Sequence, residues 1–273
     1  MKRILTAIVA LPILLYTVWS PIPFFFVALA AIAAILALNE FYGLASRVAC
    51  KPFALIGILS CLLLIGCFVF DRPEWVIAVL AATLIVLLSA GLSLSDEMAS
   101  SLTSLSSTMF GAMYVGLPCA LLVGVRMLGD TADTHHLSAK LLTLFLAMVM
   151  MTDTGAYYTG RAIGRHKLAP RVSPGKTVEG AIGGFAAALA TGPLCRLIFF
   201  PQLPLLDSVI LGGAVSVLGQ TGDLAESMLK RGSGVKDSSN LLPGHGGMLD
   251  RLDSILVAAP AIYFYSRYFI SNR

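Results

Sequence analysis

Charged residues are scarce in this sequence. Of its 273 residues, 12% are Asp, Glu, Lys or Arg and 57% are hydrophobic, whereas a soluble domain is typically about 25% charged and about 45–50% apolar. This scarcity excludes a large soluble domain. We therefore predict an all-α polytopic membrane protein that forms a single integral membrane domain over residues 1–273. The net charge of +4 is modest, and no nucleic-acid partner is expected.

The sequence also lacks paired cysteines. Its five cysteines lie in or beside apolar runs, and none forms a CxxC pair or a cluster with histidine. No disulfide framework or zinc site is therefore expected, and we predict that the cysteines are small apolar residues within helices. They are Cys50, Cys61, Cys67, Cys119 and Cys195.

A signal-peptide cleavage pattern is missing as well. Met1-Lys2-Arg3 precedes an apolar run to about Trp19 that lacks a small-residue cleavage site, so we predict that the run remains as a first membrane helix. A spanning helix needs about 20 mostly apolar residues. Nine candidate spans follow, at roughly 4–20, 22–46, 53–70, 74–94, 108–128, 139–163, 178–200, 205–229 and 251–270.

The distribution of lysine and arginine predicts the orientation of these spans. With the N-terminus in the cytoplasm, 13 of the 19 basic residues fall on the inner side and 6 on the outer side, as the positive-inside rule requires. The C-terminus is then outside. Both polar loops, 161–177 and 230–250, are predicted to face the cytoplasm.

Polar residues within the predicted spans are concentrated after residue 150. Residues 1–106 are almost entirely apolar; Glu74 stands at the first residue of its predicted span, and Glu40 is the only acid in the interior of a span there. We expect an interfacial position for it. The prediction is a scaffold of hydrophobic helices over 1–106 and a catalytic half over 107–273.

The sixth predicted span and the loop after it contain polar groups. Asp153 lies inside the span with Tyr157 one turn later; such an acid either bonds to a neighbouring Thr or Tyr or faces a polar cavity. The loop 161–177 is basic and precedes a helix beginning near Thr177, whose free amides can bind an anion. It either binds phosphate or only fixes topology. A P-loop is excluded because that motif requires Gly where Pro170 stands.

Small residues recur at four-residue spacing in the seventh span. They are Gly180, Gly184, Ala188 and Gly192. This spacing indicates a close helix-packing face, and we assign no chemistry to it.

Carboxylates gather on two helical faces between residues 223 and 253. Carboxylates from two helices are ligands for a hard cation such as Mg²⁺, and the neighbouring Lys and Arg residues suit a polyphosphate. The Gly-rich run 243–247 can approach a ligand closely, and its His245 either contacts phosphate or is an ordinary surface residue. A set of purely structural salt bridges is the alternative. One face carries Asp223, Glu226, Ser227 and Lys230, and the other carries Asp250 and Asp253.

The run from Ser227 to Asp253, which we name the signature segment, closely resembles the signature of the phosphatidate cytidylyltransferases, or CDP-diacylglycerol synthases. The residues that carry this resemblance have mixed types and a fixed spacing. They are Ser227-Met228-Leu229-Lys230-Arg231, Lys236-Asp237, Ser239, Pro243, His245-Gly246-Gly247 and Asp250-Arg251-Leu252-Asp253. Upstream family elements are Asp153-Thr154-Gly155-Ala156-Tyr157, Gly160-Arg161, Ser173-Pro174, Lys176-Thr177 and Glu179-Gly180.

The resemblance implies a nucleotidyltransferase of phospholipid biosynthesis, with the reaction CTP + phosphatidate → CDP-diacylglycerol + pyrophosphate. It implies Mg²⁺ dependence, a possible monovalent cation such as K⁺ beside it, and a homodimer. The expected location is a bacterial inner membrane, with the active site facing the cytoplasm. The mechanism we expect is direct attack of the phosphatidate phosphate on the α-phosphorus of CTP, with metal and basic residues offsetting charge repulsion.

Site roles follow from the two helical faces and from the same resemblance. The expected metal ligands are Asp223 and Asp250, then Asp253 and Glu226. The expected catalytic residues are Asp223, Asp250, Lys230, Arg231 and His245. The expected substrate-binding residues are Asp153, Ser173, Lys176, Thr177, Glu179, Ser227, Lys236, Asp237 and Arg251.

Two other classes fit the sequence less well. The CDP-alcohol phosphotransferases share a DG..AR........G...D...D motif, and the signature segment has no such spacing. A cation- or proton-coupled transporter would also use intramembrane carboxylates and Gly-rich helices. Here the charges gather at one face of the membrane, and no paired repeat occurs.

Overall fold

A computed structural model describes residues 2–48, 50–94, 98–129, 135–239, 241 and 246–271. These residues form ten α-helices, with a 3₁₀ turn at Pro73–Trp75, a π-helical segment at Ala112–Gly116 and one small sheet. The helices are α1 Lys2–Trp19, α2 Phe24–Ser46, α3 Ala54–Val69, α4 Val76–Leu94, α5 Met98–Gly111, α6 Leu117–Arg126, α7 Leu137–Ile163, α8 Val178–Ile198, α9 Leu205–Gly232 and α10 Leu249–Ser271.

The helices agree with the predicted class of all-α membrane protein. Each predicted span overlaps a helical segment, with α5, the π-helical segment and α6 running on as one. Within the described ranges, six helical stretches are long and apolar enough to cross a membrane: Phe24–Ser46, Pro73–Ser93, Ser100–Arg126, Leu137–Ile163, Val178–Ile198 and Leu205–Gly232. Helix α3 has 16 residues and rises only about 24 Å, less than the ~30 Å of a bilayer core. The count of nine spans stays a prediction.

A short β-hairpin occupies the basic loop that follows α7. Strand β1, Lys167–Ala169, pairs antiparallel with β2, Ser173–Thr177. The turn is closed by a hydrogen bond from the Val172 amide to the Ala169 carbonyl, 3.1 Å long. Hydrophobic patterning does not predict strands this short, and the sequence was expected to form only a loop here.

Contacts divide the chain into two compact units. Unit 1 comprises Met1–Met127 and Leu229–Leu252, and unit 2 comprises Leu128–Met228 and Asp253–Arg273. Each unit therefore contains part of the signature segment. The predicted boundary near residue 106 concerns roles rather than contacts, and it stays a prediction.

Unit 1 packs around an aromatic side chain of α2. The Tyr42 hydroxyl donates to the Thr108 carbonyl at 3.0 Å. A β-carbon placed at Gly57 or Gly111 would collide with the Tyr42 ring, so these glycines allow α3 and α5 to close on α2. The tyrosine thereby joins three helices of this unit.

The five cysteines are all free and buried. Their burial agrees with the prediction that they are small apolar residues that fill space.

Unit 2 uses the small-residue stripe of α8 as a packing face, as predicted. A β-carbon at Gly184 would lie 2.6 Å from the Thr152 carbonyl oxygen on α7, and one at Gly192 would collide with the Ser208 backbone on α9. Small residues therefore let α8 approach both neighbouring helices.

We expect Gly184→Ala to destabilise the protein because the new methyl group would press on backbone that cannot move aside. Overpacking of this kind costs about 1–3 kcal/mol, measurable as a lower unfolding temperature of the purified protein in detergent. Gly66→Ala on α3 is the matched control, since a β-carbon there meets nothing within 4 Å. Equal shifts for the two variants would show that α8 does not depend on this close approach.

Candidate active site

The junction of β2 and α8 is fixed by two side chains of the sequence-predicted site. Thr177 is the N-cap of α8, and its hydroxyl oxygen accepts the Gly180 amide at 3.1 Å, which satisfies one of the free donors of the helix. Glu179 accepts the amides of Arg165 and His166 at 3.0 and 3.2 Å and lies 2.6 Å from the His166 Nδ1 atom. Glu179 therefore ties the end of α7 to the start of α8, and its contacts are with protein rather than with open space.

A cavity of about 490 Å³ lies among α7, the hairpin, α8 and α9, entirely within unit 2. We name it the α7–α9 cavity; its volume is within the range of about 300–1,000 Å³ that is common for ligand pockets. It brings together five residues of the predicted site: Asp153, Ser173, Lys176, Thr177 and Asp223.

The charged groups of the α7–α9 cavity have both signs. The Lys176 Nζ atom lies 2.5 Å from Asp223 Oδ2, and the two side chains are 27% and 33% exposed. Arg161 contributes a second cation and donates to the Tyr157 hydroxyl at 3.2 Å, while Asp153 contributes a second carboxylate. This set can bind phosphate through its cations and a cation through its carboxylates.

In unit 1, Asp250 organises the signature segment. Its Oδ1 atom lies 2.6 Å from Lys230 Nζ, and this pair is nearly buried, with 12% and 7% of the side chains exposed. Its Oδ2 atom accepts the Gly247 amide at 2.7 Å and lies 3.1 and 3.0 Å from the Ser238 amide and hydroxyl. The carboxylate thus holds two separate stretches of the segment against the end of α9.

Close contacts with two carboxylates explain why the signature segment has two adjacent glycines, Gly246 and Gly247. Gly246 has a φ of +77°, and a β-carbon there would lie 2.5 Å from Asp250 Oδ2. A β-carbon at Gly247 would collide with the Ser238 hydroxyl and with the Glu40 carboxylate. Side chains at these positions would keep both carboxylates away from the backbone.

Sequence reasoning missed the role of Glu40. Its Oε1 atom accepts from the Ser239 hydroxyl at 2.7 Å and the Met248 amide at 2.9 Å. Its Oε2 atom accepts from the Ser238 hydroxyl at 2.9 Å and the Leu249 amide at 2.8 Å. The side chain is a buried anchor for the signature segment within unit 1, since the residue is only 9% exposed; its position at the membrane interface stays a prediction.

The signal for Glu40 was present in the sequence as a single acid in an apolar helix. A charge inside a membrane helix costs about 2.5–3.5 kcal/mol on insertion scales, and each hydrogen bond to a charged group returns about 1.5–3 kcal/mol. Such an acid therefore needs several donors. The sequence did not indicate which segment supplies them.

The other predicted residues of the signature segment contact solvent to different extents. Ser227 is half-buried on α9, and the Arg231 guanidinium donates to the Val235 carbonyl at 3.3 Å. His245 lies outside the described residues. The exposed members are Arg231, Lys236, Asp237 and Arg251.

Among the described residues, no group of three or more His, Cys, Asp and Glu side chains is gathered closely enough to hold a metal ion. Three of the four expected ligands, Asp223, Glu226 and Asp253, belong to unit 2, and Asp250 belongs to unit 1. A β-carbon at Gly222 would collide with the Asp253 carbonyl, so α9 and α10 touch beside Asp223. Glu226 is fully buried.

The Asp223 carboxylate is more accessible to a hard cation than the Asp250 carboxylate is. The Asp223 carboxylate lines the α7–α9 cavity and is one-third exposed. Both oxygens of Asp250 already accept hydrogen bonds. A cation that binds Asp250 would therefore have to displace one of these donors, and Lys230 is the only charged donor among them. The metal-ligand set stays a prediction.

Comparison with known proteins identifies related sequences. A model of the cytidylyltransferase family matches residues 1–269. The chain is 41% identical to the phosphatidate cytidylyltransferase of Bacillus subtilis over 155 residues, which is 56% of this chain and 55% of that protein. It is 47% identical to the Haemophilus influenzae phosphatidate cytidylyltransferase over 148 residues, or 52% of this chain and 50% of that protein. The chain therefore spans about half the length of these two relatives.

A third relative is matched over most of its length. The Escherichia coli protein YnbB is 34% identical over 255 residues, which is 92% of this chain and 80% of that protein. The likeness thus extends beyond the signature segment into the apolar first half of the chain.

Proposed function

The chain belongs to the cytidylyltransferase family, and we propose that it transfers CMP from CTP to phosphatidic acid, giving CDP-diacylglycerol and pyrophosphate. One observation carries the proposal beyond family membership: the Lys176–Asp223 pair in the α7–α9 cavity. Both substrates are phosphate anions that repel each other. A cavity that presents ammonium, guanidinium and carboxylate groups offers what a nucleotide triphosphate with its counter-cation requires.

The proposed reaction is a direct displacement at phosphorus. A phosphate oxygen of phosphatidic acid attacks the α-phosphorus of CTP and forms the new P–O bond. The bond to the β-phosphate oxygen breaks, and pyrophosphate leaves with the electron pair. No covalent enzyme intermediate is required, because the acceptor is already an anionic nucleophile.

In the α7–α9 cavity, Lys176 and Arg161 would hold the phosphates of the nucleotide. The hydroxyls of Ser173 and Thr177 would donate to phosphate oxygens. The Thr177 oxygen accepts the Gly180 amide, but a hydroxyl that accepts one bond can still donate its hydrogen. Asp153 would contact the substrate from α7.

In the signature segment, the cations suited to phosphate oxygens are Lys230, Arg231 and Lys236. The remaining substrate contacts are proposed for Ser227, Asp237, His245 and Arg251.

Mg²⁺ is the proposed cofactor, with K⁺ as a possible second cation. When bound, Mg²⁺ offsets phosphate charge and makes the α-phosphorus a better electrophile. The carboxylates that would hold it are Asp223 and Asp250, then Asp253 and Glu226. Lys176 and Lys230 form ion pairs with the first two of these.

The assay that tests the function uses purified protein in detergent with labelled CTP, phosphatidic acid and Mg²⁺. We expect lipid-linked CMP and pyrophosphate in equal amounts. Absence of both products would overturn the proposal. Consumption of added CDP-diacylglycerol and an alcohol instead would assign the protein to the CDP-alcohol phosphotransferases.

We propose nine spans in a bacterial inner membrane, with the N-terminus and the signature segment on the cytoplasmic side. In a cysteine-free background, a cysteine at the exposed Leu241 should react with an impermeant maleimide only after the cytoplasmic face is opened. The control is a cysteine at Arg72, which the same topology places outside. Labelling of position 241 in intact cells would overturn this orientation.

A homodimer is also proposed, from the family resemblance alone. Mass measurement of the purified protein, corrected for bound detergent, should give twice the 28.9 kDa of one chain. A mass of one chain at all concentrations would overturn it.

A further inference from the structure

Helix α10 takes its N-terminal cap from a distant helix. It begins at Leu249, and the residue before it, Met248, has no side-chain oxygen to accept the free amides. Glu40 of α2 accepts both amides, at 2.9 Å from Met248 and 2.8 Å from Leu249. The start of α10, and with it the first-turn residue Asp250, is thus held by a side chain from the apolar first half.

The same carboxylate also holds the stretch that contacts Asp250. The Ser238 hydroxyl oxygen lies 2.9 Å from Glu40 Oε2 and 3.0 Å from Asp250 Oδ2. A hydroxyl has one hydrogen, so it donates to one carboxylate at a time, and the two acids are coupled through it. Ser239 adds a donor to Glu40 alone, at 2.7 Å.

We propose that Glu40 is a positioning residue for CMP transfer, an inference that rests on the proposed function. It fixes the Ser238–Ser239 stretch and the first turn of α10, and through them the orientation of Asp250 and its partner Lys230. Glu40 itself contacts no substrate in this proposal. Its charge is needed because all four of its partners donate hydrogen bonds.

The test compares Glu40→Gln, Glu40→Asp and wild type. Glutamine keeps the length but loses the charge and turns an NH₂ group toward donors. We expect kcat to fall roughly 10-fold or more, the equivalent of one charged hydrogen bond, with the KM for CTP changed less than about 3-fold. Aspartate keeps the charge and should retain more activity than glutamine. Glu74→Gln, an exposed acid paired with Arg72 at 3.7 Å, is the matched control and should match wild type.

A second readout does not depend on catalysis. A nitroxide at Leu241→Cys, whose amide is accepted by the Ser239 hydroxyl at 3.1 Å, should be less mobile in wild type than in Glu40→Gln. If wild type transfers no CMP, the proposed function fails, while the spin-label comparison still decides whether Glu40 holds the segment. Wild-type mobility in Glu40→Gln would overturn the inference.

Two further outcomes are decisive. A lower unfolding temperature with wild-type kcat would show that Glu40 is only structural and would overturn the inference. If Glu40→Gln does not insert, Ser239→Ala takes its place, since it removes one donor to Glu40. Its hydroxyl oxygen also accepts the Leu241 amide at 3.1 Å, so kcat rather than label mobility is the readout for this variant. It should lower kcat, and a wild-type kcat would overturn the proposal.

Discussion

Replacing Asp223 by asparagine is expected to lower kcat/KM for CMP transfer roughly 100-fold or more, the scale seen when one preorganised electrostatic group is removed from an active site. Asn keeps the shape but removes the negative charge that pairs with Lys176 and that would hold a cation. The α7–α9 cavity would then gain one net positive charge. Because both side chains of the pair are about one-third exposed, the fold should lose little stability. Steady-state kinetics and the unfolding temperature, measured on the same preparation, check both expectations.

The matched control for this variant is Asp207→Asn on the same helix. Asp207 lies in the first turn of α9 and accepts the Tyr265 hydroxyl at 3.0 Å, away from the cavity lining. Its substitution should leave kcat/KM unchanged. The charge swap Lys176→Asp with Asp223→Lys separates an effect on stability from an effect on catalysis. It keeps an ion pair in the cavity but exchanges the positions of the ammonium and the carboxylate. Wild-type activity in either Asp223→Asn or the swap would remove this pair from the active site.

The sequence predicted the helices well because their signal is physical and local. A backbone in hydrocarbon must satisfy its own hydrogen bonds, so long apolar runs become helices. The small-residue stripe of α8 was predicted for a similar reason, since its spacing depends only on helical geometry. Asp153, Ser173, Lys176, Thr177 and Asp223 do meet at one cavity.

Long-range partners could not be predicted in the same way. Glu40 is about 200 residues from Ser238 and Ser239 in the chain, and nothing local connects them. Substrate binding by Glu179 stays a prediction, and its contacts with Arg165 and His166 could not be predicted because they depend on a hairpin too short to show a strand pattern. In both cases the residue type was noticed, and its partners were decided by tertiary structure.

Replacing Asp250 by asparagine is expected to abolish measurable CMP transfer while the protein still inserts and purifies. The Asp250–Lys230 pair is nearly buried, and Asn removes the negative charge that faces the Lys230 ammonium; breaking a fully buried pair costs about 3–5 kcal/mol. Asn also has a single acceptor oxygen, so its NH₂ group must face either the Lys230 ammonium or the Gly247 and Ser238 donors. The variant should therefore lose activity and also unfold at a lower temperature, whereas Asp223→Asn should mainly lose activity.

The control for Asp250→Asn is Asp71→Asn in the same unit. Asp71 is exposed and has a φ of +54°, a conformation that asparagine also adopts readily, so neither activity nor stability should change. The double variant Asp250→Asn with Lys230→Met removes the ammonium as well as the carboxylate. It should recover part of the lost unfolding temperature and none of the activity, because the fold needs only a neutral pair there whereas the proposed chemistry uses both charged side chains. Wild-type turnover in either variant would show that Asp250 serves the fold alone.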